Sequence, residues 1–569
     1  MALDLPSTVG DFMSWEWPQI APYYEELSQR PIRQENVEAW LADWTHLRRL
    51  LEERQTRLYV ATTLDTSDGE AKLRYHRFLD EVFALAQGPE QQLKSELIAS
   101  DLEPKGLEVP LRNMRAEVAL FREANVPLLA EELKLANRYD EISGAQTVLW
   151  EGQELTIEEL RAVLLTGDRP LRQRAWQSAS ERILADRSAV NQLWGEFLRL
   201  RRQLAANAGF SSYRDYRWRQ MLRFDYAPED CRSFRYAIEE VAVPAASRVY
   251  ERQRRRLGVD VLRPWDLDQD VYPFSLPAPK PFATAEELES KTAVIFQRVD
   301  PQLGAYFETM RREKLLDLAS RKNKGPGGYC VDYALARRPF IFMHAMGIHE
   351  NVQTLLHEGG HAFHVFEQAP LPYQQQCQIP MEFAEVASMS MELLATPYLE
   401  ADQGGFYTRA EAARARVEHL ERIITFWPYM AVVDAFQHWV YENPGAAGDP
   451  ASCDAQWAPL AQRFIPGVDW SGLQAALETG WHRKLHIHEY PFYYVEYGLA
   501  LLGAVQVWRN SLRDPADAVA RYRQALALGG TATLPELFAA AGARFAFNAD
   551  ALREAISLME RTIEELAIV

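Results

Sequence analysis

The stretch Asn351-Val352-Gln353-Thr354-Leu355-Leu356-His357-Glu358-Gly359-Gly360-His361-Ala362-Phe363-His364 decides how this chain is read. His357 and His361 stand four residues apart. On a helix that spacing points both imidazoles the same way, one turn apart, which suits a single Zn²⁺ ion. Glu358, beside the first histidine, is placed to act as general base on a water at that metal. With 12 histidines in 569 residues, an H-E-x-x-H match arises by accident in about two chains of this size per hundred. The context therefore carries the argument. At about 100° per residue, Val352, Leu355, Leu356, Phe363 and Phe366 fall on one side of a helix and Gly359 continues that stripe. His357 and His361 face the opposite side, flanked by Glu358. A surface helix holding these residues by coincidence has no use for two adjacent glycines, each costing about 0.5–1 kcal/mol relative to alanine. A close neighbour that needs the missing side-chain volume explains them. His364 shares the histidine face but lies about 10 Å along the axis from His357, so it reads as a supporting or packing residue.

A mononuclear catalytic zinc takes a third protein ligand and keeps one position open. Met381-Glu382-Phe383-Ala384-Glu385-Val386-Ala387-Ser388-Met389-Ser390-Met391-Glu392-Leu393-Leu394 reads as a helix with Phe383, Val386, Ala387 and Leu394 on one stripe. Glu385 and Glu392 lie opposite, with Glu382 off to one side. The run 368–380, rich in X-Pro steps and glutamine, reads as the loop that turns this helix back against the first. Glu385 and Glu392 are about 10 Å apart along the axis, so one of them ligates, and periodicity alone does not choose between them.

Several blocks together resemble the thimet oligopeptidase and oligoendopeptidase F family of zinc metallopeptidases, most of all its shorter bacterial members. They are Gly327-Gly328-Tyr329-Cys330, Pro339-Phe340-Ile341-Phe342-Met343, the segment 354–364, Glu382-Phe383-Ala384-Glu385-Val386-Ala387-Ser388 and Pro491-Phe492-Tyr493-Tyr494-Val495-Glu496-Tyr497-Gly498. They stand in the family's order across the C-terminal half. The resemblance implies that Glu385 is the third ligand, completing a set of His357, His361 and Glu385 around one Zn²⁺, with Glu358 as catalytic base. Gly359 departs from the family, where a bulkier residue is common.

A peptide hydrolase also stabilises the oxyanion formed when water attacks the scissile carbonyl, and preorganised O–H or N–H donors do this. Pro491 suits the first position of a helix, on which Tyr494 and Tyr497 share a face, with His486 and Tyr490 on the approach. The resemblance implies that a histidine and one or more tyrosines of this block contact substrate and oxyanion. His486, Tyr494 and Tyr497 are the assignments. His482 and His488 compete with His486, and Tyr490 and Tyr493 with the other two tyrosines.

Upstream, Arg338-Pro339-Phe340-Ile341-Phe342-Met343-His344-Ala345-Met346-Gly347 reads as a short strand ending at a glycine. A strand edge beside a metal site can hydrogen-bond an extended peptide backbone. Lys324-Gly325-Pro326-Gly327-Gly328 lacks the Lys-Ser/Thr ending of a phosphate loop, which argues against nucleotide binding.

Composition agrees. The chain is long enough for a large core and two lobes, and its 47% hydrophobic content is that of a globular protein. A net charge of −18 argues against nucleic acid or an anionic membrane as partner. Cys231, Cys330, Cys377 and Cys453 show no metal or redox spacing, which reads as reduced thiols in a cytoplasmic protein. No basic segment followed by an apolar run opens the sequence, and no uninterrupted apolar stretch approaches about 18 residues, so neither secretion nor a membrane span is expected.

Helical apolar spacing is expected over residues 35–60, 73–85, 112–135, 182–206 and 550–568, with breaks at 65–69, 137–147 and the proline-rich 273–281. Residues 145–150 with 155–156 suggest a hairpin, and 329–343 is strand-like. The expected fold is mainly α, a two-lobed zincin-like metallopeptidase with a small β-sheet beside the H-E-x-x-H helix. The expected division is an N-terminal helical lobe over 1–190 and a catalytic region over 191–569. From the resemblance come a deep central channel and short unfolded peptides as substrates. Two other readings stand beside this one. A carboxypeptidase or dipeptidase of the same fold needs a cation for the free carboxylate, and Arg337 and Arg338 are nearby in sequence. A non-catalytic peptide-binding scaffold is the other.

Overall fold

The computed structural model describes residues 3–276, 279–325 and 327–567. Pro326 of the glycine-rich loop, residues 277 and 278 of the proline-rich run, and Ile568 at the end of the last expected helix lie outside the described residues. Among the described residues the protein is mainly helical with two small sheets. It forms two compact units, each assembled from three separate stretches of chain: Met1–Ala119, Pro279–Ala412 and Gly503–Phe545 in the first, Leu120–Ala278, Ala413–Leu502 and Ala546–Val569 in the second. Among the described residues no helix is long and apolar enough to cross a membrane, and all four cysteines are free.

The first unit explains the early apolar periodicity. Val37–Leu64 is one helix, and Trp40, Trp44, Leu47 and Leu50 on its inner face are buried in a cluster with Phe12, Leu27 and Leu97. The two aromatic rings, one turn apart, supply much of the apolar area that seats it. The second unit holds the expected hairpin. β1 (Thr147–Trp150) and β2 (Gln153–Thr156) pair antiparallel with Thr147 opposite Thr156. The turn between them has Glu151 at φ +50° and Gly152 at φ +86°, the backbone that a two-residue hairpin connection needs.

Three helical expectations change. The single helix over 112–135 is two, Glu108–Leu120 and Val126–Gly144. Pro127 has no N–H to continue an upstream helix but fits the first turn of a new one. The break expected at 137–147 begins only after Gly144. Tyr139 is buried and donates to the His482 carbonyl at 2.8 Å, so packing overrides the turn-forming residues around it. The helix over 182–206 is divided at Asp186, between Arg169–Ala185 and Arg187–Asn207. Gln146 and Arg182 both hold the Asp186 carboxylate there.

The sheet beside the histidine helix has the order β3-β5-β4, with β3 at Leu316–Ala319, β4 at Tyr329–Tyr333 and β5 at Arg338–Ala345. β3 runs parallel to β5, and β4 antiparallel, with Cys330 opposite Ile341. The Arg338 segment is therefore the central strand and β4 an edge. The continuous apolar run Phe340-Ile341-Phe342-Met343, all buried, marks a strand covered on both faces, whereas β4 is mostly half-buried.

The histidine helix, His349–Gln368, packs on this sheet and on the glutamate helix, Met381–Leu394. The paired glycines are explained by what surrounds them. A Cβ on Gly359 would lie 2.4 Å from the Phe296 ring, and one on Gly360 would lie 2.5 Å from the Ser388 Cα and 2.6 Å from the Ala387 carbonyl oxygen. The two helices touch backbone to backbone at Gly360. Gly360→Ala is expected to lower stability by about 1–3 kcal/mol, read as a lower denaturant midpoint, and to weaken metal binding by displacing the helix that carries Glu385.

Candidate metal centre

The closeness of the two helices sets the site. His357 and His361 project from one face of the histidine helix with ring centroids 5.0 Å apart. Glu385 reaches towards them from the glutamate helix, its Oε2 3.5 Å from His357 Nε2 and 4.0 Å from His361 Nε2. The three ligand atoms lie within 4.8 Å of one another. With zinc–donor bonds of about 2.1 Å, a tetrahedral shell spaces its donors about 3.4 Å apart, so the imidazole–imidazole–carboxylate set fits that ion by type and by spacing. Glu385 is held from behind by the Ser388 hydroxyl, which donates to Oε2 at 3.2 Å. The Tyr522 hydroxyl, from far along the chain, fixes the Ala387 carbonyl at 2.9 Å.

Glu392 has a different place. Its Oε1 lies 2.6 Å from His357 Nδ1. A carboxylate on that nitrogen fixes the tautomer that leaves Nε2 free for a metal and raises the basicity of the ring. The two glutamates, two turns apart, thus engage opposite nitrogens of one imidazole. Glu392→Ala is expected to weaken metal binding by about 10–100-fold with the fold intact, measured by competition against a chromophoric chelator.

Glu358 is buried and accepts a hydrogen bond from the Cys330 backbone N–H on β4. Burial, with the charges of Glu385 and Glu392, pushes its carboxyl up to about 7, against the lowering pull of His357 and that hydrogen bond. Burial pulls His357 down, but the hydrogen bond and charge of Glu392, with Glu385 and Glu358 behind it, carry it up to about 9. Burial and the neighbouring His357 hold His361 well below its ordinary value. A bound dication acts on all three groups in the direction of proton loss. His364 is buried with its ring edge on Phe383 and neither ring nitrogen hydrogen-bonded. It is a packing residue, and burial lowers its pKa to about 3.

The tyrosine block belongs to the second unit. Its helix, Tyr494–Ser511, begins three residues later than Pro491. Phe492 sits at φ +68°, with its N–H donated to Gln437 at 2.7 Å and its carbonyl held by Arg223 at 2.6 Å. That turn breaks the helix expected to start at Pro491. His486 packs against Tyr494 (centroids 5.0 Å) and Tyr497 (5.8 Å), with Tyr490 and Tyr493 close by. Of the competing histidines, His488 is fully buried among Tyr139, Trp194 and Trp481, and His482 is buried against Trp481. His486 alone of the three keeps appreciable exposed surface. Tyr494 is buried, with the Lys484 ammonium 4.1 Å above its ring, and its hydroxyl is hydrogen-bonded to Tyr272.

The model of the family "Peptidase family M3" matches residues 163–557. A comparison with curated proteins finds no match. Among solved structures, Pz peptidase A with an inhibitor superposes with a TM-score of 0.87 at 26% identity, over 96% of this chain and 97% of that one. A provisionally assigned oligoendopeptidase F gives the same TM-score and identity over 96% of both chains. Another, from Bacillus anthracis, gives 0.83 at 23% identity over 96% of both and speaks for the fold alone. The matched residues cover well over half of the chain and include both metal-site helices; the chain belongs to peptidase family M3.

Proposed function

We propose that this peptidase is a zinc-dependent endopeptidase acting on short, unfolded oligopeptides. The observation that carries the proposal is the convergence of His357, His361 and Glu385, with the Glu358 carboxyl next in sequence buried beside them. An ion held by His357, His361 and Glu385 would supply Lewis acidity, to acidify a water and polarise the scissile carbonyl. The chain's own groups do the rest. Glu392 holds His357 in the tautomer that ligates. Glu358 takes the proton from the attacking water and delivers it to the departing amine nitrogen, as one carboxyl can when its pKa lies near the working pH. The Cys330 N–H orients that carboxylate. β4, whose second edge pairs with no strand among the described residues, offers main-chain groups to an extended substrate. His486, Tyr494 and Tyr497 are proposed as oxyanion donors, on the sequence block they occupy and their clustering in the second unit. The preference for oligopeptides rests on the sequence resemblance and on the name of one relative at 26% identity, the oligoendopeptidase F.

An exopeptidase of the same fold needs a free cation for the terminal carboxylate. Arg337 donates to the Ala369 carbonyl and Arg338 is paired with Glu313 at 2.8 Å, so both residues suggested for that duty are engaged. The test is a fluorogenic peptide blocked at both ends. Internal cleavage that stops on chelation and returns with added Zn²⁺ supports the endopeptidase. An uncut blocked peptide, with trimming of its free counterpart, overturns it.

A further inference from the structure

A second group of side chains of metal-ligating type lies within the second unit, built from residues with no part in the chemistry above. Cys231 stands on the helix Pro228–Ala237, and Asp434 and His438 stand one turn apart on the long helix Arg409–Glu442. All three are buried, at 0%, 1% and 3% exposure. The Cys231 sulfur, a carboxylate oxygen of Asp434 and a ring nitrogen of His438 lie within 4.8 Å of one another. We infer that Cys231, Asp434 and His438 bind a zinc-class cation that pins these two helices together.

Two buried polar atoms carry the argument. Asp434 Oδ1 and His438 Nε2 have no hydrogen-bond partner, although each is sealed from solvent, and leaving a buried polar group without a partner is costly. The two atoms face each other at 3.6 Å, too far for a good hydrogen bond and close to the spacing of about 3.4 Å between ligands of one tetrahedral zinc. The remaining carboxylate oxygen, Asp434 Oδ2, is taken by the Arg235 guanidinium. This leaves Oδ1 turned to the cluster, the way an outer partner orients a ligating carboxylate. Arg235 is four residues from Cys231, so one helix provides both the sulfur and the orienting cation. Phe492 and Trp218 pack around the His438 ring, at 5.2 and 6.0 Å between centroids. The donor set of thiolate, imidazole and carboxylate selects a borderline-soft dication such as Zn²⁺ over Mg²⁺ or Ca²⁺. Binding releases the thiol proton to solvent, and the fourth tetrahedral position falls to a small ligand such as water. With all three side chains buried, the role is structural.

Sulfur makes the site separable from the catalytic one, whose three ligands are nitrogen and oxygen. The probe is Co²⁺ added to the chelator-stripped full-length protein and followed by absorption. Wild type is expected to show a near-ultraviolet thiolate-to-cobalt band beside the visible ligand-field bands. Cys231→Ser is expected to lose the former and keep the latter. A complementary variant with Cys330, Cys377 and Cys453 all changed to Ser is expected to retain the thiolate band, so the answer does not depend on Cys231→Ser folding. Absence of the band from wild type, its persistence in Cys231→Ser or its loss from the triple variant overturns the inference, while the ligand-field bands report separately on the His357 site.

Discussion

Glu358→Gln is expected to bind Zn²⁺ like the wild type and to lose about 10²–10⁴-fold in kcat. The amide has the shape of the carboxyl and still offers an oxygen to the Cys330 N–H, so packing and the metal ligands are undisturbed. It has no basic site for the proton of the attacking water and none to return to the amine. Because burial drives the Glu358 carboxyl up to about 7, the group in the bare protein sits near the midpoint of its titration at neutral pH, and the ion's charge brings it further towards the carboxylate. The working form is therefore lost as pH falls, and the acid limb of the wild-type kcat profile is expected to be absent from the residual activity of the glutamine variant. Single-turnover rates with metal content measured on the same sample check this. Normal turnover in a metal-replete Glu358→Gln protein removes the residue from the role of base.

Glu385→Ala is expected to have the largest effect on metal content. It takes one of three ligands from the ion and leaves two neutral imidazoles. The loss of affinity should exceed the 10–100-fold or so that removal of an outer partner brings, so the variant emerges from dialysis without catalytic zinc and without activity. The ranking tests geometry as well as chemistry. Glu385 approaches His357 on Nε2 and Glu392 on Nδ1, the arrangement expected if the first is a ligand and the second a positioning residue. Equilibrium competition on both alanine variants should put Glu385→Ala well below Glu392→Ala. The reverse order exchanges their roles.

The centre of the site was legible because its information is local. The four-residue spacing of His357 and His361 is a helical repeat, and the unexplained pair Gly359-Gly360 implied a close neighbour, found as Phe296 and the Ala387–Ser388 backbone. Periodicity placed Glu385 and Glu392 on one face and stopped there. Their division of labour depends on which imidazole nitrogen each meets, a matter of interhelical register that spacing within one helix does not encode. Tyr522 and Ser388, which steady the glutamate helix, carried no signal. One is distant in sequence, and the other is a serine among apolar residues. The edge position of β4 is a property of sheet order: the 338–347 segment, read from sequence as offering a strand edge beside the metal site, is instead the central strand, and β4 supplies the edge. At Pro491 the residue type suggested a helix start, but Arg223 and Gln437, both remote in sequence, hold Phe492 in the left-handed region and delay it.

Anomalous diffraction at the zinc edge, on crystals grown from zinc-supplied protein, tests the metal centre most directly. The expected result is a peak about 2.0–2.2 Å from Nε2 of His357, Nε2 of His361 and a carboxylate oxygen of Glu385, with Glu358 outside bonding range. No peak between those three side chains, or one bound there with Glu385 turned away, contradicts it.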